Sequence, residues 1–340
     1  MVNAGKGAAA AGFLAASGVK LGADPLGIPI GSQTYPVRAQ IAEGKFVEIL
    51  KNMHAAGIRQ IELCSPTGYA QFASLADGKQ TKKIIEDNGL KCISAHYSFN
   101  EFRDNLPKAI QWAQDVGLTQ MGTASLPQNM GTAAAPITIM SNGVTSEESI
   151  KRAADAYGKM GVTTKAAGIQ LFLHNEGFEN SRTNDGRLTY PILLSALDGD
   201  LVKMQFQMSS MRTIGNPIAY FNLYPGRFIS AHVHGVDLEA PPPAARGPQM
   251  PIKPDPNAPA RGARGAGGAG APAGGAGAAA RGPVGPPAVA PGDDSVNWQA
   301  VFTAAKVGGM KNYFIEQEQA NGGWEAMVKG AAFLKTLNVT

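Results

Sequence analysis

Four of the five histidines of this sequence stand at the ends of apolar, strand-like segments: His96, His174, His232 and His234. Glu316 stands at the end of the last such segment. Alternate residues of a strand point to the same face, so His232 and His234 are predicted to share one. Imidazoles and carboxylates that converge at one rim are the ligand chemistry of a divalent metal such as Mn²⁺ or Zn²⁺. Such a metal polarises a carbonyl group, and a nearby carboxylate can then move a proton to or from carbon.

Other predicted strands also end in polar side chains, which can line a pocket for a small polar substrate. A structural interpretation stands beside this one, because a single histidine at a strand end more often makes a hydrogen bond in the core. In that interpretation Glu62 pairs with a lysine and Tyr35 packs at the rim. His54 lies on a predicted helix and is interpreted as structural. The predicted site residues are Gln33, Tyr35, Glu62, His96, His174, Glu176, Gln205, Gln207, His232, His234, Glu316 and Glu318.

From residue 28 onward, eight strand-like segments alternate with helix-like segments. This order predicts an α/β fold in which helices cover a parallel sheet. The count of eight, with polar residues at most strand ends, favours a single (β/α)8 TIM barrel over an open doubly wound sheet. The predicted strands are 28–34, 59–64, 90–97, 118–124, 169–174, 201–208, 228–234 and 313–317, and the predicted helices are 46–56, 79–88, 106–116, 146–167, 190–197, 217–223, 296–307 and 324–337.

Three segments depart from the alternation. Residues 240–292 are almost wholly Ala, Gly and Pro with scattered Arg, which predicts a disordered insertion after strand seven. Residues 125–145 form a long loop after strand four that can cover the site. Residues 7–18 resemble the apolar region of a signal peptide, so 1–25 is predicted to be a leader and 26–340 the barrel domain. Export to the periplasm is expected, and the alternative is a disordered leader on a cytoplasmic protein.

Composition and motifs exclude several classes of function. The net charge is +4, but the positive residues are spread along the chain, and several arginines lie in the Gly/Ala/Pro-rich segment. We therefore expect no nucleic-acid partner. No segment is long enough to span a membrane. Neither a glycine-rich phosphate loop nor a G-x-S-x-G elbow occurs, which argues against nucleotide-binding and serine-hydrolase functions. Cys64 and Cys92 fall in predicted buried strands as free thiols, although a disulfide between them is also possible.

Six strand motifs occur in a characteristic order: IGSQTYPVR, AAGIRQIELC, GLKCISAHYSF, GIQLFLHNEGFE, YPGRFISAHVHGVD and NYFIEQE. They resemble the xylose isomerase-like TIM barrel superfamily, specifically its sugar phosphate isomerase/epimerase group. The resemblance covers roughly residues 28–238 and 295–338. It implies a small-molecule sugar substrate, but the group also contains dehydratases and lyases, so it does not specify the reaction.

The resemblance also implies a metal held by Glu, Asp, His and Glu on strands five to eight. His232 and Glu316 match the last two positions. Strand five has His174 where the acidic residue is expected, with Glu176 two positions on, and strand six has Gln207 in place of Asp. An amide oxygen can bind a metal but adds no charge, so weaker metal binding is expected. The catalytic residues implied are Glu316, Glu176 and His174.

Glu62 and His96 match positions that line the substrate pocket of the family, and His234, Gln33 and Tyr35 are predicted to join them. The main hypothesis is a sugar isomerase or epimerase that uses a divalent metal, Mn²⁺ or Zn²⁺, to assist proton abstraction next to a carbonyl. A keto-glycoside lyase is the alternative within the group. A metal-free carbohydrate-binding barrel is the alternative from another class. An abasic-DNA endonuclease shares the fold, but the sequence shows neither the richer metal set nor the basic groove that it needs.

Overall fold

A computed structural model describes residues 24–124, 126, 130–131, 137–140, 143–211, 214–237, 289–317 and 323–339. Eight parallel strands close into a barrel in chain order, with the first strand hydrogen-bonded to the eighth. The predicted (β/α)8 TIM barrel is confirmed. The strands are β1 (Gly31–Gln33), β2 (Gln60–Cys64), β3 (Lys91–Tyr97), β4 (Gln120–Thr123), β5 (Gln170–His174), β6 (Val202–Gln207), β7 (Phe228–Val233) and β8 (Asn312–Ile315).

The helices cover the outside of the barrel, and eight of the ten described overlap a predicted helix. They are α1 (Arg38–Ala42), α2 (Phe46–Ala55), α3 (Gly78–Asp87), α4 (Phe99–Val116), α5 (Glu147–Ala166), α6 (Thr189–Ala196), α7 (Met208–Met211), α8 (Pro217–Leu223), α9 (Trp298–Gly308) and α10 (Gly323–Leu334). No helix in the described ranges has both the length and the apolar character needed to cross a membrane.

Helix α4 begins seven residues before its predicted start at residue 106. The Ser98 side chain caps its N-terminus by accepting from the Glu101 N–H, and the Glu101 carboxylate accepts from the Ser98 N–H, which completes a capping box. The backbone leaves the helical conformation at Asn105, two residues before Pro107. Proline has no backbone N–H, so it cannot make the hydrogen bond that continues a helix. The predicted helix over 106–116 is therefore the part of α4 that follows this break.

Two phenylalanines fill the barrel interior below the strand ends. Phe172 on β5 stands beside Gly122 on β4, and Phe314 on β8 stands beside Gly31 on β1. A Cβ atom added at either glycine would collide with the neighbouring ring and a backbone oxygen. The two glycines therefore provide the space for two aromatic rings, which form an apolar floor under the polar residues at the rim.

Strand β7 leads into the Gly/Ala/Pro-rich segment, of which residues 238–288 lie outside the described residues. The prediction of a disordered insertion over 240–292 is wrong for its last four residues. Val289 N–H donates to Gly235 O just after β7, and Ala290 and Pro291 are buried. The predicted leader over residues 1–25 falls mainly in residues 1–23, which also lie outside, as does Glu318. Export therefore stays a prediction.

Both cysteines are buried free thiols, as the first of the two sequence interpretations expected. Cys64 ends β2 and Cys92 lies near the start of β3, so the two occupy opposite ends of neighbouring strands. Burial raises the pKa of the Cys92 thiol far above its ordinary value. Cys92 therefore stays protonated and unreactive in the folded protein.

Candidate metal and substrate site

Glu62 stands at the centre of the polar residues inside the barrel and is fully buried. Its Oε1 accepts hydrogen bonds from Gln33 Nε2 at 3.0 Å and from His232 Nε2 at 2.6 Å. Its Oε2 accepts from Ser94 Oγ at 2.5 Å and from Gln205 Nε2 at 2.8 Å. A carboxylate has about four lone-pair sites, so protein donors occupy all of them.

His232 lies between two carboxylates and has no exposed surface. Its Nε2 contacts Glu62, and its Nδ1 lies 2.8 Å from Oε2 of Glu316. The contact of Nδ1 with Glu316 is an ion pair that does not meet the geometry of a hydrogen bond. Nδ1 of His232 is thus close to a carboxylate without a donor–acceptor bond to it.

Three imidazole rings are packed together at the end of the barrel interior. The ring of His232 lies 4.4 Å from that of His174 and 5.2 Å from that of His96, measured between centroids. The rings rest on the apolar floor, with His96 5.6 Å from Phe172 and His232 6.4 Å from Phe314. One ligand nitrogen from each histidine lies within 4.8 Å of the others. Strands β3, β5 and β7 therefore bring three potential metal ligands to one place.

Gln207 and His234 form the outer part of the cluster, beside Glu316. Gln207 Nε2 contacts His234 Nδ1 at 3.1 Å and Glu316 Oε2 at 3.4 Å. Since the amide donates both contacts, Nδ1 of His234 accepts, and the His234 proton is on Nε2. The Gln207 oxygen is left buried without a donor.

Burial and charge set the protonation states of the two carboxylates and of His232. Burial alone would raise the pKa of Glu62, but nearby His96 and His232 hold it below its ordinary value. Burial also opposes ionisation of Glu316, yet the positive charge of His232, 2.8 Å away, lowers its pKa to about 2. Against a burial effect that lowers it, Glu316 and Glu62 raise the pKa of His232 to about 10. The three groups together carry one negative charge at neutral pH.

The other histidines of the cluster are neutral. Burial lowers the pKa of His96, and burial with the charges of His232 and His96 lowers that of His174 far more. Burial likewise lowers the pKa of His234. Neutral imidazoles keep a lone pair on one nitrogen, which is the form that binds metals.

Three buried atoms without a hydrogen-bond partner stand at three successive strand ends: His174 Nδ1, Gln207 Oε1 and His232 Nδ1. A buried polar atom without a partner costs about 1–3 kcal/mol, so a cluster of them indicates a missing partner. With Glu316 beside them, they coincide with the strand-five to strand-eight positions predicted from the resemblance. The donor set of imidazole, amide and carboxylate therefore fits a divalent cation.

The remaining predicted residues lie around this cluster at different depths. Gln33 is buried and bonded to Glu62, and its Oε1 accepts from the Tyr35 backbone N–H at 2.8 Å. Tyr35 is half-buried and lies edge-on to Tyr69, while Arg38 covers its ring at 3.8 Å from the centroid. Glu176 is exposed because β5 ends at His174 and the strand alternation does not continue to it. Strand alternation therefore does not determine where Glu176 points, and its predicted place at the site stays a prediction.

Two further buried polar residues, Ser94 and Glu179, were not singled out from the sequence. Ser94 lies two residues before His96 on β3, so strand alternation was a usable signal for it. Glu179 follows β5 in a short 3-10 helix, is fully buried, and accepts from the Gly177 N–H at 3.0 Å. No strand pattern could indicate Glu179, because the chain has left the sheet there. A surface cavity of about 240 Å³ shares no residue with the cluster and is lined by Gln40, Lys45, Glu48, Ile49, Asn52 and Trp324.

No protein-family model and no curated protein matches this sequence. Solved structures do match its fold. A sugar phosphate isomerase/epimerase from Parabacteroides distasonis is 18% identical with a TM-score of 0.60, covering 90% of this chain and 93% of the other. A probable 3-DHS dehydratase from Bacillus anthracis, involved in petrobactin synthesis, is 12% identical with a TM-score of 0.59, covering 92% and 100%.

A third structure, a xylose isomerase-like TIM barrel protein from Mycobacterium smegmatis in complex with magnesium, is 13% identical. Its TM-score is 0.56, and the match covers 91% of this chain and 95% of the other. At these identities the likeness establishes the fold. The fold is therefore the (β/α)8 barrel that these structures share, and the reaction must be argued from the site.

Proposed function

We propose that this protein is a metal-dependent enzyme that moves a proton on the carbon next to a sugar carbonyl, as an isomerase or epimerase. The carrying observation is the group of three unpartnered buried atoms beside Glu316, at the ends of β5, β6 and β7. His174, Gln207, His232 and Glu316 would hold the metal. When bound, a divalent cation polarises the substrate carbonyl and makes the adjacent C–H more acidic.

Proton transfer falls to groups that a substrate can reach. Glu62 has no free lone pair, and Glu316, with a pKa of about 2, is a weak base. Of the predicted catalytic residues, Glu176 is exposed beyond β5, and His174 offers a neutral imidazole inside the cluster. Half-buried His234 carries its proton on Nε2, because its Nδ1 accepts from Gln207. We assign the proton acceptor to Glu176 and the proton donor towards the substrate oxygen to His234.

Metal binding tests the first part of this proposal. The protein is purified without chelator, and Mn²⁺ or Zn²⁺ is quantified and then titrated into the metal-free form. One equivalent is expected in the wild type, and far weaker binding in His174→Ala. His54→Ala is the matched control, since His54 is an exposed histidine on α2. Failure of the wild type to bind either metal would favour the carbohydrate-binding alternative, which the neutral residues His174 and Gln207 also favour.

Proton exchange tests the chemistry. Candidate keto-sugars and aldoses are incubated with the metal-loaded protein in D₂O, and deuterium at the carbon next to the carbonyl is followed by NMR. Incorporation without loss of a substituent indicates isomerisation or epimerisation. Loss of water or of a glycosidic group after incorporation would instead indicate the dehydratase or lyase alternative. Glu176→Gln is expected to slow incorporation about 100-fold or more, in the range of general-base catalysis.

A further inference from the structure

Four polar residues inside the barrel donate hydrogen bonds to one carboxylate. Gln33, Ser94, Gln205 and His232 come from β1, β3, β6 and β7, and each donates one hydrogen bond to Glu62 on β2. Glu62 is fully buried above the apolar floor, so these contacts act in a medium of low polarity. With its lone pairs used by the protein, Glu62 acts on neighbouring side chains and is not available to a substrate.

We propose that Glu62 is a positioning residue that places the proton of His232 and of His96 on Nε2, and so presents their Nδ1 atoms to the metal and the substrate. The role in metal binding rests on the proposed function. The positions of the protons follow from the hydrogen bonds alone and do not require a metal. The sequence resemblance placed Glu62 in the substrate pocket. Its contacts instead assign it to orienting the histidine side chains.

The effect on His232 is direct. A carboxylate only accepts hydrogen bonds, so the Nε2 atom 2.6 Å from Glu62 Oε1 must carry a proton. The unpartnered Nδ1 then faces Glu316. A carboxylate behind a metal-binding imidazole is the usual way in which proteins fix the ligand nitrogen and raise its basicity.

The effect on His96 passes through Gln205. Because Glu62 Oε2 accepts only, the Gln205 amide must turn its NH₂ group towards it, which turns its Oε1 towards His96. Oε1 lies 2.7 Å from His96 Nε2, and a carbonyl oxygen also only accepts, so Nε2 of His96 carries the proton. Burial keeps His96 neutral, which leaves the lone pair on Nδ1.

The same reasoning orients Gln33, which extends the effect to the rim. Its NH₂ donates to Glu62, so its Oε1 accepts from the Tyr35 N–H at 2.8 Å. One buried charge thereby determines two amide orientations and two imidazole protonation sites. If Glu62 contributed only to stability, its removal would not change which ring nitrogen carries the proton.

Long-range ¹H–¹⁵N NMR of the imidazoles in the metal-free protein tests this inference. In the wild type, Nε2 of both His96 and His232 is expected to carry a proton, with Nδ1 of His96 unprotonated. Glu62→Gln is expected to move the proton of neutral His96 to Nδ1, or to mix the two forms. Ser94→Ala is the matched control, because it removes one donor to Glu62 and leaves the carboxylate in place.

Wild-type spectra with a proton on Nδ1 alone in either histidine would overturn the inference, and this outcome needs no variant to fold. Unchanged proton positions in a folded Glu62→Gln would overturn it as well. Titration of Zn²⁺ gives the second readout: the affinity is expected to fall about 10–100-fold in Glu62→Gln and to change little in Ser94→Ala. Absence of metal binding in a wild type with the expected proton positions would contradict the proposed function alone.

Discussion

Gln207 is the residue at which the site departs most clearly from the ligand set implied by the resemblance. An amide oxygen is a neutral ligand, and the Gln207 oxygen is buried without a donor. Its NH₂ group meanwhile lies 3.4 Å from Glu316, where a carboxylate would be repelled. Gln207 thus favours the metal-free protein, at the expense of metal affinity.

Gln207→Asp is therefore expected to tighten Zn²⁺ binding about tenfold or more, because the ligand set gains a negative charge. The same change is expected to lower the free energy of unfolding of the metal-free protein, because two carboxylates then face each other. Isothermal titration and urea unfolding measure the two effects. Gln71→Asp, at an exposed position, is the charge-matched control. Weaker metal binding in Gln207→Asp would contradict a ligand role for this position.

Glu179 is a buried carboxyl group outside the metal set. Burial raises its pKa, although hydrogen bonds from the backbone oppose the shift. The folded protein therefore binds this proton more tightly than the unfolded chain does. The contribution of Glu179 to stability is complete below the unfolded pKa, and it declines as the pH rises through the folded pKa.

We expect Glu179→Gln to be more stable than the wild type, by an amount that grows as the pH rises from about 4 to about 8. Urea unfolding at several pH values measures the difference. Glu147→Gln is the control of opposite sign, because hydrogen bonds and charges of Lys151 and Arg187 lower the pKa of this exposed carboxyl. A difference between Glu179→Gln and the wild type that is independent of pH would show that Glu179 does not titrate as described.

At the scale of elements, the sequence predicted the strands better than the packing of side chains inside the barrel. Alternation and glycine stop signals located all eight strands, with ends within a few residues of those observed. The pairing of Gly122 with Phe172, and of Gly31 with Phe314, depends on the register between strands. Register is a tertiary property, so no pattern within one strand could reveal these pairs.

Gly122→Ala tests this packing. The new methyl group would meet the Phe172 ring and backbone oxygen, and we expect a loss of stability of about 1–3 kcal/mol or more. Gly158→Ala is the matched substitution in α5, where a Cβ atom meets nothing within 4 Å. That variant is expected to gain about 0.5–1 kcal/mol through helix propensity. Equal Tm shifts in the two variants would contradict the role of Gly122.

At the scale of the whole molecule, the regular βα alternation was sufficient to predict a closed barrel, because a parallel sheet of eight strands must bury both faces. It also predicted that His96, His174, His232 and Glu316 would converge. The hydrogen bonds around Glu62 were not predictable, because they join strands from all around the barrel. The direction of Glu176 could not be predicted from strand alternation, because β5 ends at His174.

The Gly/Ala/Pro-rich segment begins and ends at two neighbouring points of the barrel. Gly235 and Val289 are joined by a backbone hydrogen bond, so the two ends of the segment lie side by side. Replacing residues 238–288 by a short Gly/Ser linker is therefore expected to leave the far-UV circular dichroism unchanged and to shift Tm by no more than about 4 °C. Loss of cooperative unfolding in the shortened protein would show that the barrel depends on this segment.

Anomalous diffraction from a crystal equilibrated with Zn²⁺ or Mn²⁺ tests the central claim most directly. The expected result is one strong peak about 2.0–2.3 Å from His174 Nδ1, Gln207 Oε1, His232 Nδ1 and a Glu316 oxygen, with Glu62 still bonded to Nε2 of His232. No peak at this position under saturating metal, or a peak held by other residues, would contradict the assignment of these four side chains as the metal site.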